Sequence, residues 1–227
     1  MSRHAPYFRE MGLVRWRYSS PAPEGDRRVA DGSAPTTGLQ SQGVRTDLTR
    51  LSDEVARCER CDLHGVRKNP VFGAGDASAR WLFVGEAPGA EEDKLGLPFV
   101  GRAGSLLNGM LFSIGLSRDE VYIANVLKCR PPNNRDPFGR EVQRCDPYLH
   151  QQISLVQPEI IVAMGRFAAQ ALLETDQSLA QLRGRVHRYK IEQLPLVVTY
   201  HPAYLLRSPL AKGKSWKDLR LACSVMN

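Results

Sequence analysis

The chain predicts an α/β fold: a three-layer sandwich with a mostly parallel central sheet flanked by helices. Residues 81–84, 122–127, 160–164 and 196–199 are near-continuously apolar, without the alternation that marks a sheet with one wet face. Between these runs apolar residues recur at helical spacing, and strands that alternate with helices imply parallel pairing through crossover connections. No apolar stretch approaches the roughly 20 residues that a membrane-spanning helix needs.

Taken in order, a helix is expected over 48–57, where Leu48, Leu51 and Val55 fall on one face. The strand Trp81-Leu82-Phe83-Val84 follows, then a helix over 103–114. A second strand covers 122–127, and a helix over 140–156 leads to the strand Ile160-Ile161-Val162-Ala163-Met164. A helix over 166–173, the strand 196–199 and a closing helix over 216–225 complete the domain. Ligands of such sheets bind beyond the carboxyl ends of the strands. The segment after Val84, Asn125 and the segment after Thr199 are therefore expected to face one crevice.

Residues 1–46 read differently. Pro21, Pro23, Gly25, Gly32, Pro35, Gly38 and Gly43 lie among serines, threonines and arginines without sustained periodicity, so this stretch is expected to be a disordered tail, with the folded domain over 47–227. The opening Met1-Ser2-Arg3-His4-Ala5-Pro6 lacks the apolar core of a secretory signal, which makes the cytoplasm the expected location. Hydrophobic residues make up 42% and charged residues 24%, values of a globular protein, and the net charge of +7 fits a polyanionic partner.

Three groups of residues carry chemistry. The first is Gly85-Glu86-Ala87-Pro88-Gly89, followed by Glu91-Glu92-Asp93 and by Leu97-Pro98-Phe99-Val100-Gly101. Its glycines and proline turn the backbone and bare its N–H groups, its carboxylates add charge, and Phe99 offers a flat apolar face suited to a planar polar ring. The second is His201-Pro202-Ala203-Tyr204-Leu205-Leu206-Arg207, directly after a strand. Its imidazole suits a developing anion, while Arg207, Lys212 and Lys214 suit phosphates.

The third is cysteine. Cys58 and Cys61 form a C-x2-C pair, and Cys129 and Cys145 lie downstream, with prolines after both that point to loops. Four thiolates in a reducing compartment indicate zinc or an iron–sulfur cluster, between which spacing does not choose. Cys223 lies on a helical pattern and is expected to be a plain buried thiol. These features leave three readings open: an enzyme, a non-catalytic nucleic-acid-binding protein with a four-cysteine zinc site, or an iron–sulfur redox or sensor protein.

The motifs together choose among them. Gly85-Glu86-Ala87-Pro88-Gly89 with Glu91-Glu92-Asp93, Pro98-Phe99-Val100-Gly101-Arg102-Ala103-Gly104, Ala124-Asn125-Val126-Leu127-Lys128-Cys129-Arg130-Pro131-Pro132 and His201-Pro202-Ala203-Tyr204 closely resemble family 4 uracil-DNA glycosylases, which carry a [4Fe-4S] cluster. The resemblance covers about 51–221. It implies a DNA repair enzyme that flips deoxyuridine out of single- or double-stranded DNA as a monomer and hydrolyses its N-glycosidic bond. Cys58, Cys61, Cys129 and Cys145 would bind the cluster, Phe99 would stack on uracil, and Asn125 would read its polar edge. Ala87 would supply a backbone N–H and His201 a donor to the leaving anion. Glu86, with Glu92 as the second carboxylate, would orient water or stabilise the sugar cation. The segment Glu91 to Asp93, Glu92 foremost, would crowd out the thymine methyl group. A related group that traps uracil-DNA covalently has glutamine in place of Ala87 and a histidine-containing insertion after the second strand. The stretch Arg130-Pro131-Pro132-Asn133-Asn134-Arg135-Asp136-Pro137 has no histidine, so turnover is expected.

Overall fold

In the computed structural model, which describes residues 37–189 and 193–226, the apolar runs form the interior of one sheet. Its strands are β1 (Ala74–Gly75), β2 (Trp81–Gly85), β3 (Val121–Asn125), β4 (Ile160–Met164), β5 (Val186–Tyr189) and β6 (Leu194–Thr199), in the spatial order β1-β3-β2-β4-β6-β5. The helices are α1 (Thr37–Ala56), α2 (Ala90–Leu95), α3 (Arg102–Ser113), α4 (Gly139–Val156), α5 (Arg166–Leu173), α6 (Leu179–Leu182), α7 (Pro202–Arg207) and α8 (Lys212–Met226). Strands β3, β2, β4 and β6 run parallel, as expected for strands buried on both faces. The short outer strands β1 and β5 pair antiparallel, an addition that the apolar pattern does not reveal.

Alternate strand residues feed two cores. Leu82, Val84, Ala124, Ile161, Ala163 and Val198 pack with Leu149 and Ile153 of α4 and Ala168, Ala169 and Leu172 of α5. Trp81, Phe83, Ile123, Val162 and Val197 face the other way, onto Leu107 and Leu111 of α3, Leu205 of α7 and Leu219 of α8. The chain leaves β2 toward β3 on one side and returns to β4 on the other. The crevice opened by this reversal lies at the strands' carboxyl ends, where ligands of doubly wound sheets bind.

Two expectations need correction. Helix α1 begins at Thr37, so residues 37–46, assigned to the tail from composition, belong to the domain; residues 1–36 lie outside the described residues. Packing overrides the low propensity of Gly38 and Gly43, because Leu48, Leu51 and Val55 are buried and Val44 packs on the core. Cys145, expected on a loop, sits inside α4 with Pro147 two residues further along the same helix. A proline lacks the N–H of a helical residue but fits where the surroundings hold the helix together, and Tyr148, Leu149 and Gln152 are all buried.

No described helix is long and apolar enough to cross a membrane. Leu107 is fully buried between α3 and the sheet. Leu107→Ala is expected to lower unfolding free energy by about 2–5 kcal/mol through lost burial and a residual cavity, measured by urea denaturation.

Candidate active site

Strand β2 ends at Gly85, whose register partner on β3 is Asn125. The pairing continues past both strands, with Val126 N donating to Gly85 O at 3.0 Å and Leu127 N to Glu86 O at 3.0 Å. A Cβ at position 85 would lie 2.4 Å from Asn125 Oδ1 and 2.7 Å from Phe99 Cζ. Glycine is therefore required for two side chains to lie against this strand end. Asn125 is 2% exposed, and among the described residues its Oδ1 has no hydrogen-bond partner. An orphaned buried acceptor costs about 1–3 kcal/mol, and its persistence marks a place made for a donor from outside.

Phe99 is buried and has a left-handed backbone, φ 52°. That conformation is costly for a large residue and needs support from its surroundings. Glu92 Oε1 accepts from Val100 N at 3.0 Å and from Gly101 N at 3.1 Å. From the other side, Arg118 donates to Phe99 O at 3.1 Å and also to Pro98 O. Gly104 completes the mould, because a Cβ there would lie 1.7 Å from Phe99 O.

His201 caps α7, its Nδ1 accepting from Ala203 N at 3.2 Å. That bond places the proton of the neutral ring on Nε2. The imidazole stays neutral because burial, then the nearby Arg207 charge, push its pKa down to about 4, against a smaller opposing effect of Glu92. Its ring centroid lies 5.5 Å from that of Phe99. Glu86 is shifted the opposite way, up to about 7, first by burial and then by Asp136, with Arg166 opposing.

These groups line one cleft of about 400 Å³, which gathers Glu86, Ala87, Glu92, Phe99, Asn125, His201 and Arg207. Lys212 and Lys214 do not line it; both are exposed at the start of α8, and Lys214 O accepts from Arg183. Of the acidic triplet only Glu92 reaches the cleft. Glu91 pairs with Lys94 at 2.8 Å, and Asp93 turns inward to accept from Lys68 N at 2.9 Å, because successive positions of α2 point to different sides. Motif reading did not single out Arg118, Arg135 or Asp136. Arg135 and Asp136 form a wall of the cleft, held by a bidentate pair between Arg135 and the buried Glu141 at 2.6 and 2.9 Å. The local signal in the sequence is an acid at the third position of a helix, Glu141, which accepts from Phe138 N at 2.8 Å.

A second, smaller pocket is lined by all four predicted cysteines together with Arg67, Lys128 and Tyr148. Arg67 donates to Cys129 Sγ at 3.0 Å and Lys128 N to Cys145 Sγ at 3.2 Å. Burial pushes the Cys145 thiol up to about 11, so a thiolate there needs a positive partner of the kind a metal supplies. Among the described residues no group of three or more His, Cys, Asp or Glu could hold a single metal ion. The four cysteines share one pocket without closing around a single ion. Cys223 is half-buried against the α8 core and lies apart from this pocket.

An α/β sandwich with a polar cleft at the carboxyl ends of its parallel strands, walled by an aromatic ring, an amide and an imidazole, is a protein built to enclose a small planar ligand. The family model of the uracil DNA glycosylase superfamily matches residues 72–220, and the chain belongs to that superfamily. It is 45% identical over 181 residues to the Type-4 uracil-DNA glycosylase of Pyrobaculum aerophilum, covering 77% of this chain and 92% of that relative. It is also 45% identical over 181 residues to the Type-4 uracil-DNA glycosylase of Archaeoglobus fulgidus, covering 76% and 90%. A third relative, the Type-4 uracil-DNA glycosylase of Thermotoga maritima, is 44% identical over 167 residues, covering 73% and 86%.

The upward shift at Glu86 has a consequence for stability. Below pH 4.5 the carboxyl is protonated folded or unfolded; between there and about 7 only the unfolded chain ionises freely, so folding loses free energy as pH rises. Glu86→Gln is expected to remove that loss, stabilising the protein at pH 8 by on the order of 1–2 kcal/mol after allowance for solvent screening, with little difference at pH 4. Denaturation curves at the two pH values check it.

Proposed function

We propose that this protein is a uracil-DNA glycosylase of DNA repair, hydrolysing the N-glycosidic bond of deoxyuridine and leaving an abasic site. The observation that carries the reading is the orphaned Asn125 Oδ1, buried beside Phe99 and His201 in one cleft. Uracil presents N3–H and the O4 carbonyl side by side, and one carboxamide satisfies both, Oδ1 accepting from N3–H and Nδ2 donating to O4. Cytosine offers an unprotonated N3 and an amine there, leaving buried polar groups unpaired, a penalty large enough to exclude it.

Extruding the nucleotide costs a few kcal/mol. Stacking on Phe99 returns about 1–3 kcal/mol without regard to base identity. Arg207, on the cleft rim, is the residue placed to meet a phosphate; Lys212 and Lys214 would act further out. The methyl group of thymine is excluded by Glu92, which two backbone N–H groups hold rigid against the cleft.

As the C–N bond lengthens, negative charge gathers on the pyrimidine and positive charge on the sugar. The Nε2–H of neutral His201 and the backbone N–H of Ala87 stabilise the anion, a preorganised role typically accounting for about 10²–10³ in rate per donor. Glu86, as carboxylate, stabilises the oxocarbenium-like sugar and orients the attacking water, with Glu92 secondary because one of its oxygens is committed to the Val100 and Gly101 amides.

Cys58, Cys61, Cys129 and Cys145 would hold a [4Fe-4S] cluster. The donor set fits: four sulfurs ring one pocket, N–H donors aim at two of them, and a multi-iron cluster spreads its ligands more widely than a single zinc ion does. When bound, the cluster supplies a cross-link between the segment after α1, the segment after β3 and helix α4, stabilising the fold as metal ligation does generally.

Uracil release from single-stranded, U·G and U·A DNA by anaerobically purified protein tests the activity; no release from any substrate contradicts it. His201→Ala is expected to slow cleavage about 10²–10³-fold with DNA affinity nearly intact, and Asn125→Asp to weaken discrimination against cytosine. Full activity in both variants would rule out the assignment of the cleft.

The pH profile is a separate measurement. Activity should rise with pH through about 7 as Glu86 ionises, and this limb belongs to Glu86 and not to His201, which stays neutral down to about 4. An acid limb unchanged in Glu86→Asp, or a limb that His201→Gln moves, counts against these roles.

A further inference from the structure

Lys128 stands between the two pockets. It lies three residues past Asn125 and directly before Cys129, and its side chain is 1% exposed. Its Nζ donates to the backbone carbonyl of Asn125 at 2.8 Å and also to Gln152 Oε1. Gln152 is itself fixed, donating to Phe72 O at 2.9 Å and to Tyr122 Oη at 3.2 Å. Lys128 is also stitched in through its backbone, its N–H donating to Cys145 Sγ and its carbonyl accepting from Val71 N at 2.7 Å.

A buried ammonium needs a counter-charge, because an uncompensated ion in the interior costs several kcal/mol. Among the described residues no carboxylate forms an ion pair with Lys128; the ion pairs present join other residues. Lys128 also lines the cysteine pocket with Cys58, Cys61, Cys129 and Cys145, and its backbone N–H reaches Cys145 Sγ, so sulfurs ionised by a bound cluster are the groups able to supply that counter-charge.

We propose that Lys128 is a positioning residue that couples the cysteine centre to base recognition: cluster thiolates supply its counter-charge, and its ammonium holds the Asn125 carbonyl so that the amide keeps its place at the cleft. The inference rests on the reading of the cysteines as cluster ligands and of Asn125 as the base reader. It gives the cluster a function beyond cross-linking. Losing the anionic centre removes the partner of a cation that fixes the specificity amide, and removing the cation makes the anionic centre harder to reduce.

The test uses the anaerobically purified holoprotein and Lys128→Met, a neutral side chain of similar length. Its KM for uracil-DNA is expected to rise about 10- to 100-fold, the loss of a buried hydrogen bond from a charged donor, with a smaller fall in kcat and weaker discrimination against cytosine. The cluster's reduction potential should move to more negative values, and a chelator should strip iron faster. Lys128→Gln, which keeps a donor but no charge, serves if the methionine variant does not fold, and should shift the potential while disturbing KM less.

Wild-type KM and potential in the variants overturn the proposal. A shifted potential with KM and base discrimination intact in Lys128→Met also overturns it, because the lysine would then serve the cysteine centre alone. Anaerobically purified wild type that holds no iron overturns the cluster reading and this proposal together, whereas iron-containing wild type with an unaffected Lys128→Met overturns this proposal only.

Discussion

The cleft depends on one close approach, the contact of Asn125 and Phe99 with the bare backbone at Gly85. A single methyl group there would collide with both side chains, so the amide and the aromatic plate owe their common site to a missing Cβ. The rest follows from holding Phe99 in that place against its backbone preference. Glu92 takes the amides after it, Arg118 takes the carbonyls at and before it, and Gly104 lets α3 close on its main chain. Opposite charges gripping the two ends of the Phe99–Val100 peptide group make a rigid support. Rigidity matters because a stacking surface that wandered would give back in entropy what it gains in contact.

Much of this was legible in the sequence, and what was not has an identifiable cause. The four parallel strands and the helices between them are marked by their apolar patterns, and the cleft residues Glu86, Asn125 and His201 sit on or just after strand ends, where position in the chain fixes position in space; Phe99, in the turn between α2 and α3, is marked instead by its motif. Helix α1 was read too short because Gly38 and Gly43 signal weak propensity, while its stability comes from Leu48, Leu51 and Val55 docking on the core. Arg118 and Lys128 left no signal of function, since each acts through main-chain carbonyls that any residue carries. Lys212 and Lys214 share charge with Arg207 but not its place, because α7 ends between them and sequence proximity stops tracking spatial proximity there.

The cysteine pocket illustrates a different division between sequence and structure. Spacing identified four sulfurs, yet one of them rides on the regular helix α4 and another lies four residues past the end of β3, so the pocket sits where the segments after α1 and after β3 meet α4. Leu51, Val55, Leu63, Leu127 and Tyr148 surround it. An apolar shell of this kind keeps water from Cys129 and Cys145 and strengthens charge interactions there, the conditions under which a donor to sulfur such as Arg67 tunes a metal centre most strongly.

The same low-dielectric logic governs the cleft itself, where burial moves two titratable groups toward neutrality from opposite sides. Glu86 is harder to ionise and His201 harder to protonate than in water. A site holding a carboxylate and an imidazolium at rest would bind them to each other and leave little field for a substrate. With the imidazole neutral, its Nε2–H is free to answer negative charge only when that charge develops, and the desolvated carboxylate gains most when a cation forms beside it. In the proposed reaction both groups are thereby poorly solvated in the ground state and well matched to a charge-separated transition state, which concentrates stabilisation on the bond-breaking step rather than spreading it over binding.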